Sequence, residues 1–155
     1  MEKIDALNQV AEFHKTFNAP ILETPQIPSK ERCELRVKLL QEELDELKQA
    51  IADNDLVEIA DALCDLQYVL SGAVLEFGLG NKFKELFNEV QRSNMSKACT
   101  DEQQAEETVA FYKDRGEESF YEKSGDKFNV HRISDNKVLK NKYYSPADLA
   151  SILQQ

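Results

Sequence analysis

Six acidic residues in two short stretches have the types and spacing that metal chemistry requires. They are Glu42, Glu43, Glu46, Glu58, Asp61 and Asp65. On a helix, positions three, four or seven apart share one face, so each stretch would present a stripe of carboxylates. Carboxylate oxygens are the ligands that Mg²⁺ and Mn²⁺ prefer in proteins. The pattern therefore favours a divalent metal site between two neighbouring helices.

The second acidic stretch begins a segment that is otherwise apolar. Between residues 59 and 75, Asp61 and Asp65 are the only charged side chains. A helix this apolar is expected inside the protein, where an unpaired carboxylate costs several kcal/mol. No Lys, Arg or His lies between residues 49 and 80 to supply a counter-charge. A bound divalent ion is therefore the simplest expected compensation.

Apolar periodicity predicts five helices that would position these residues. Side chains spaced by three and four indicate helices over residues 2–17, 29–52, 55–78, 82–92 and 100–116. The expected N-caps are Ser29, Asp55 and Thr100. The short turn at residues 53–55 should make the second and third helices antiparallel neighbours. His14, in the first helix, is expected at the surface or in a groove.

The spacing of apolar residues changes from a helical to an alternating pattern near residue 116. Alternating apolar residues over 119–122 and 127–132, around the turn Ser124-Gly125-Asp126, predict a β-hairpin. A third short strand over residues 137–139 and a last helix that begins at Ser145-Pro146 are expected to follow. The predicted fold is mainly α, an antiparallel helical bundle over residues 1–115. The hairpin and terminal helix form an extension over residues 116–155.

Composition argues against several classes of protein. The net charge of −10 repels polyanions, which argues against general binding to nucleic acid. No stretch is long and apolar enough to suggest a membrane span, and the N-terminus lacks the apolar run of a signal peptide. Three cysteines without CxxC spacing predict reduced thiols in a cytoplasmic protein, with Cys64 in the core.

Two motifs in order resemble the signature of a known superfamily. Glu42-Glu43-Leu44-Asp45-Glu46 followed by Glu58-Ile59-Ala60-Asp61 is similar to the EExxE and ExxD motifs of the all-α nucleoside triphosphate pyrophosphohydrolases, including MazG-type enzymes and phosphoribosyl-ATP pyrophosphohydrolase. The resemblance implies Mg²⁺-dependent hydrolysis of the α–β phosphoanhydride of a nucleotide, which yields a monophosphate and pyrophosphate. It also implies a subunit pairing that completes the bundle, as a homodimer or dimer of dimers.

The resemblance also implies roles for individual residues. The metal ligands would be Glu43, Glu46, Glu58 and Asp61, with Asp65 as an additional or outer ligand. Glu42 would orient or deprotonate the attacking water, although Glu43 remains an alternative base, and one or two metal ions are both possible. Residues 89–97 are similar to a segment in which asparagine and lysine side chains reach the nucleotide, which implies substrate binding by Asn94 and Lys97.

Two alternatives remain open from the sequence. Within the enzyme hypothesis, the substrate is a deoxynucleoside or nucleoside triphosphate, with phosphoribosyl-ATP as the named alternative. In a different class, the chain would be an acidic helical module that binds another protein and holds a structural divalent ion. The extension over residues 116–155 lies outside the signature, and packing or subunit contact is its expected role.

Overall fold

The computed structural model describes residues 4–154 and is mainly helical. Its helices are α1 (Ala6–Thr16), α2 (Lys30–Ala52), α3 (Leu56–Glu76), α4 (Phe83–Met95), α5 (Glu102–Lys113) and α6 (Leu149–Leu153), and its strands are β1 (Ser119–Ser124) and β2 (Lys127–Arg132). The predicted mainly α fold with a C-terminal hairpin is confirmed.

The chain forms two compact units, which divide between Phe83 and Lys84. The first unit contains α1, α2 and α3, and the second contains the hairpin and α6 together with α5 and nearly all of α4. The sequence placed the boundary after residue 115. The observed grouping differs because α5 packs on both strands of the hairpin.

Helices α2 and α3 form the antiparallel pair that the sequence predicted. The Ser29 hydroxyl accepts a hydrogen bond from the Arg32 amide at 3.4 Å, and Asp55 accepts from the amides of Val57 and Glu58 at 2.9 and 3.2 Å. Between the helices, Asn54 adopts a positive φ of 55°. Both caps supply acceptors for helical amides that have no partner within the helix, so each helix begins where its cap lies.

The burial predicted for α3 is only half correct. Its C-terminal end, from Ser71 to Glu76, is largely buried, whereas Leu56 and Val57 at its start are 76% and 75% exposed. Leu63 and Leu70 are also exposed. Hydropathy indicates that a helix face avoids water, but it does not indicate whether the covering surface belongs to the same chain.

Helix α1 begins at Ala6, later than predicted, and the predicted positions 2 and 3 lie outside the described residues. The expectation for His14 was wrong, because this side chain is buried. Its Nδ1 lies 2.8 Å from the carbonyl oxygen of Pro20, and its Nε2 lies 3.3 Å from a guanidinium nitrogen of Arg36. The histidine therefore links α1, the following loop and α2.

The loop after α1 is tied to the end of α3 by backbone hydrogen bonds. The Leu22 amide donates to the carbonyl of Leu75 at 3.0 Å, and the Gln26 amide donates to the carbonyl of Phe77 at 3.1 Å. Gly78 terminates the helix with a φ of 69°, and a Cβ atom there would lie 1.9 Å from the carbonyl oxygen of Thr24. Only glycine meets both conditions at this position.

The second unit packs around a small core between α5 and the hairpin. The buried core residues are Cys99, Ala105, Val130 and Leu139. The hairpin pairs Ser119 with Arg132 and Ser124 with Lys127, and Gly125 in its turn has a φ of 61°. The predicted hairpin and its turn are confirmed.

Three boundaries in the second unit differ from the predictions. Helix α4 extends through Met95 rather than ending at Arg92. The N-cap of α5 is Asp101 rather than Thr100, because the Asp101 carboxylate accepts the Gln104 amide at 2.9 Å. In the same way Asp148, rather than Ser145, caps α6. Asp competes effectively with Ser and Thr at N-caps, and cap residues one to three positions apart are hard to separate from sequence.

The predicted third strand is a single bridge between His131 and Val138. All three cysteines are free thiols, but Cys64 is exposed and not in the core, because its face of α3 is uncovered. Over the described residues, no helix has the length and apolar character needed to span a membrane.

Candidate functional site

Glu43, on α2, has the most unusual environment of the six acidic residues. Its Oε2 atom is buried and has no hydrogen-bond partner. Burial raises the pKa of this carboxyl group, and the negative charges of four neighbouring carboxylates raise it further. These neighbours are Glu46, Asp65, Glu42 and Asp61. No cation contributes to the shift, so the ionised form is destabilised by desolvation and by like charge.

The antiparallel pairing of α2 and α3 explains why these carboxylates meet. Residues at equal distances from the turn at 53–55 face each other across such a pair, which places Asp65 opposite Glu43 and Asp61 near Glu46. Nearer the turn, Glu46 and Glu58 line a common surface depression with Asp53 and Asp55. The predicted ligand set therefore lies along one α2/α3 face, and Glu43 is the member whose buried oxygen lacks a partner.

The Glu42 side chain does not point toward the other five carboxylates. Its carboxylate lies 3.3 Å from the ammonium of Lys38, one helical turn earlier, and about half of the side chain is exposed. It shares its face of α2 with Gln41 and Asp45. Glu42 acts on Glu43 as a neighbouring negative charge that raises its pKa. The predicted role of Glu42, to orient or deprotonate the attacking water, remains a prediction.

The chemistry of these donors fits a hard divalent cation. The five predicted ligands offer only carboxylate oxygens, as Mg²⁺ and Mn²⁺ prefer, and the buried Glu43 oxygen lacks the partner that a cation would supply. Between Ile4 and Gln154, no three His, Cys, Asp or Glu side chains are grouped closely enough to hold a metal ion together. The carboxylates are thus neighbours, and metal binding would require their side chains to draw together.

A second buried carboxylate was missed by the sequence analysis. Glu76, at the end of α3, is 1% exposed and accepts hydrogen bonds from Arg32 and Arg36 on α2. Burial alone raises the pKa of Glu76, but the two guanidinium groups outweigh it and leave the pKa below its usual value. The sequence does contain a signal for this cluster, because Arg32 and Arg36 lie one helical turn apart on α2. The antiparallel register of α2 and α3 places both arginines opposite residues 72–76.

Gly72 makes room for this cluster. A Cβ atom at position 72 would lie 2.6 Å from a guanidinium nitrogen of Arg36 and 3.1 Å from Nε2 of His14. The absence of a side chain therefore lets the arginine cross the face of α3 toward Glu76. Two guanidinium groups compensate the single carboxylate of Glu76, so the cluster has the character of a structural ion pair.

An apolar groove between α1 and α3 was also not anticipated. It has a volume of about 450 Å³ and is lined by Ile4, Ala6, Gln9, Leu63, Cys64, Gln67 and Tyr68. At its side, the rings of Phe13 and Tyr68 meet edge to face at 5.6 Å. Aromatic and apolar walls with two amide side chains suit a planar heterocycle that also makes hydrogen bonds.

Asn94 and Lys97 lie in the second unit. Asn94 is in the last turn of α4, Lys97 follows the helix, and the Lys97 ammonium donates a hydrogen bond to the Asn94 side-chain oxygen at 2.8 Å. Both side chains are accessible to solvent. The structure brings these two residues together, and their contact with a nucleotide remains a prediction.

Two comparisons with known proteins bear on the site. A family model described as "Phosphoribosyl-ATP pyrophosphohydrolase" matches residues 10–94, a range that includes all six acidic residues and Asn94. A protein of Acanthamoeba polyphaga mimivirus, named "Uncharacterized protein L479", is 24% identical to this chain, and the alignment covers 99% of this chain and 97% of that protein. The second match extends the similarity through the hairpin and α6.

Proposed function

Because the chain belongs to the phosphoribosyl-ATP pyrophosphohydrolase family, whose activity is of the pyrophosphohydrolase type, we propose that it cleaves the α–β phosphoanhydride of a nucleotide with Mg²⁺. The products are a nucleoside monophosphate or related monoester and pyrophosphate. The proposed substrate is a nucleoside or deoxynucleoside triphosphate, and phosphoribosyl-ATP is the alternative.

One observation carries the proposal. The Glu43 carboxylate holds a buried oxygen without a partner, and every charge that shifts its pKa is another carboxylate. A fold retains such a cost when a ligand relieves it, and an external dication is the ligand that acidic oxygens select. The five residues that would hold the ion are Glu43, Glu46, Glu58, Asp61 and Asp65.

The metal and the side chains would share the chemistry. When bound, Mg²⁺ would offset the negative charge that develops on the phosphoryl oxygens and lower the pKa of a bound water. Glu43 is one candidate for the base that would accept a proton from the attacking water. Glu42 is the second candidate base, and it would first have to leave its contact with Lys38.

The groove between α1 and α3 is the proposed position of the base. Tyr68, which lines the groove, follows Asp65 on α3 by three residues, so the edge of the groove lies on the helix face beside the carboxylate stripe. The rings of Phe13 and Tyr68 would contact the planar base, and the Gln9 and Gln67 amides would contact its polar edge.

Self-association is part of the proposal. Exposed apolar side chains follow both helices, with Val37 and Ile51 on α2 and Leu56, Val57 and Leu63 on α3. Apolar surface of this extent is expected to be covered, and a second copy in a homodimer or dimer of dimers would cover it. Light scattering after gel filtration would give the mass, and a monomer at micromolar concentration would contradict this part.

The activity is tested by pyrophosphate release from the full chain. The panel contains the ribonucleoside and deoxyribonucleoside triphosphates and phosphoribosyl-ATP, each with Mg²⁺. We expect turnover of at least one substrate, and we expect Glu43→Gln to lower kcat by about 100-fold or more because it removes a ligand charge and a proton acceptor. EDTA should abolish turnover.

Asp45→Asn is the matched control. Asp45 lies on α2 two residues from Glu43, and it is exposed and paired with Lys48 at 2.7 Å. We expect this variant to keep its activity within about twofold, because exposed pairs of this kind contribute little. Absence of turnover on the whole panel by folded wild-type protein would refute the enzymatic proposal.

A further inference from the structure

Two glutamine side chains line the groove between α1 and α3, and they differ in the residue that lies one helical turn further along. Gln9 on α1 is followed four residues later by Phe13, and Gln67 on α3 is followed by Ser71. Side chains four residues apart on a helix are neighbours. A serine hydroxyl can hold an amide by a hydrogen bond, whereas a phenylalanine ring has no polar atom with which to do so. The two amides therefore differ in how far their orientation is determined.

Ser71 makes two hydrogen bonds with Gln67. Its hydroxyl lies 2.8 Å from the backbone carbonyl oxygen of Gln67, and the side-chain nitrogen Nε2 of Gln67 lies 3.1 Å from the hydroxyl oxygen. A carbonyl oxygen can only accept, so the single hydrogen of the hydroxyl is donated to it. Toward the Gln67 side chain the same hydroxyl can only accept. The Gln67 amide must therefore turn its NH₂ group, and not its oxygen, toward Ser71.

The burial of Ser71 determines which atom of the Gln67 amide remains for a ligand. Ser71 is 3% exposed and is not one of the residues that line the groove. The amide nitrogen is directed to this buried partner, so Oε1 is the polar atom that Gln67 can present to the groove. Reversing the amide would bring Oε1 and the Ser71 oxygen together without a hydrogen between them, at the cost of a hydrogen bond. Gln67 therefore offers the groove a fixed acceptor, and Phe13 imposes no such choice on Gln9.

We propose that Gln67 selects nucleotides whose base carries an amino group, and that Ser71 is the positioning residue that makes Gln67 selective. That a base occupies the groove rests on the proposed function, whereas the orientation of the amide rests on the contacts above. Adenine and cytosine carry an amino group at the ring position where guanine, thymine and uracil carry a carbonyl oxygen. A fixed acceptor gains a hydrogen bond from the amino group and is repelled by the carbonyl oxygen.

The aromatic rings beside the groove cannot make this choice. Phe13 and Tyr68 would contact the face of a planar base, and every base has such a face. The ring N–H of uracil is also a donor, but it lies between two carbonyl oxygens, so an acceptor directed at it meets repulsion from both sides. The Gln9 amide can rotate to suit either kind of edge. Discrimination between amino and carbonyl bases therefore depends on Gln67.

The test compares nucleotides whose bases differ in one group. Calorimetry on the full chain with Mg²⁺ measures the binding of deoxycytidine against deoxyuridine monophosphate, and of deoxyadenosine against deoxyinosine monophosphate. Monophosphates contain no phosphoanhydride, so the measurement requires no turnover. We expect the wild type to bind the amino member of at least one pair about tenfold more tightly, because the carbonyl member loses a hydrogen bond and gains a repulsion.

Three variants separate selection from general binding. Ser71→Ala frees the amide to rotate, so the two members of a pair should bind within about twofold of each other while the amino nucleotide still binds. Gln67→Ala, at an exposed position of α3, should abolish the preference in the same way. Gln9→Ala is the matched control, because it removes an amide from the same groove. It should weaken both members of a pair about equally and leave their ratio unchanged.

Three results would each overturn the proposal. They are equal affinity for both members of each pair, a preference that survives Ser71→Ala, and no binding of any of the four monophosphates by the folded wild type. Failure here is distinguishable from failure of the proposed function. Turnover of triphosphates without discrimination would leave the hydrolase and remove this inference, whereas discrimination without turnover would leave the binding site and remove the hydrolase.

Discussion

On the α2/α3 pair, Glu76 and Glu43 are two carboxylates with buried oxygen atoms in opposite electrostatic settings. Glu76 is almost completely buried and is held by Arg32 and Arg36, whereas the buried oxygen of Glu43 is surrounded by acidic groups alone. The pKa of Glu76 is lowered and that of Glu43 is raised. Burial alone therefore does not determine the direction of a pKa shift. The sign of the neighbouring charges does, and in our proposal a cation from outside the chain compensates Glu43.

The largest expected effect comes from removing the compensated acid. Glu76→Gln leaves two guanidinium groups near a neutral amide, one of them buried, and breaking a buried pair costs about 3–5 kcal/mol. We expect the free energy of unfolding to fall by this order. Urea denaturation followed by circular dichroism gives the change. Glu12→Gln, at an exposed position of α1, is the control and should lie within about 0.5 kcal/mol of wild type. A fall no larger than that of the control would contradict the structural role of Glu76.

A smaller effect is expected from pH. Glu76 has a lower pKa in the folded state than in the unfolded chain, so its stabilisation is fully present above the unfolded pKa and is lost as pH falls through the folded pKa. Between about pH 7 and about pH 3, the wild type should lose more unfolding free energy than Glu76→Gln does. Urea titrations at several pH values give both slopes, and parallel slopes would show that other groups dominate acid unfolding.

The smallest effect is expected at the uncompensated acid. Without metal, Glu43→Gln removes a desolvated charge that faces like charges, so stability should be unchanged or higher by up to about 1 kcal/mol. Mg²⁺ at about ten times its dissociation constant should stabilise the wild type by about 1.4 kcal/mol and the variant by much less. Thermal unfolding with and without Mg²⁺ measures both. A clear loss of metal-free stability in the variant would place Glu43 in the same class as Glu76.

The contrast also shows what the sequence could predict. The carboxylate stripes followed from local spacing on two helices joined by a short turn, and the structure does place Asp61 and Asp65 near Glu43. The Glu76 cluster depends on register across 40 or more residues and on the space that Gly72 leaves for Arg36. Neither condition produces a pattern in a single helix.

A further error has a physical cause. The hydropathy of α3 predicted burial correctly at Val74 and Leu75 but not at Leu56 and Val57, because hydropathy does not show which chain covers a surface.

Gly78 imposes a lasting restriction on how this protein can diverge. The helix terminus there adopts a left-handed backbone, and the carbonyl of Thr24 occupies the space where any side chain would begin. Substitutions in the loop that do not disturb its backbone can accumulate, whereas position 78 has no acceptable replacement while that path persists. Any relative with another residue at position 78 is therefore expected to have a different backbone path in the loop that contains Thr24.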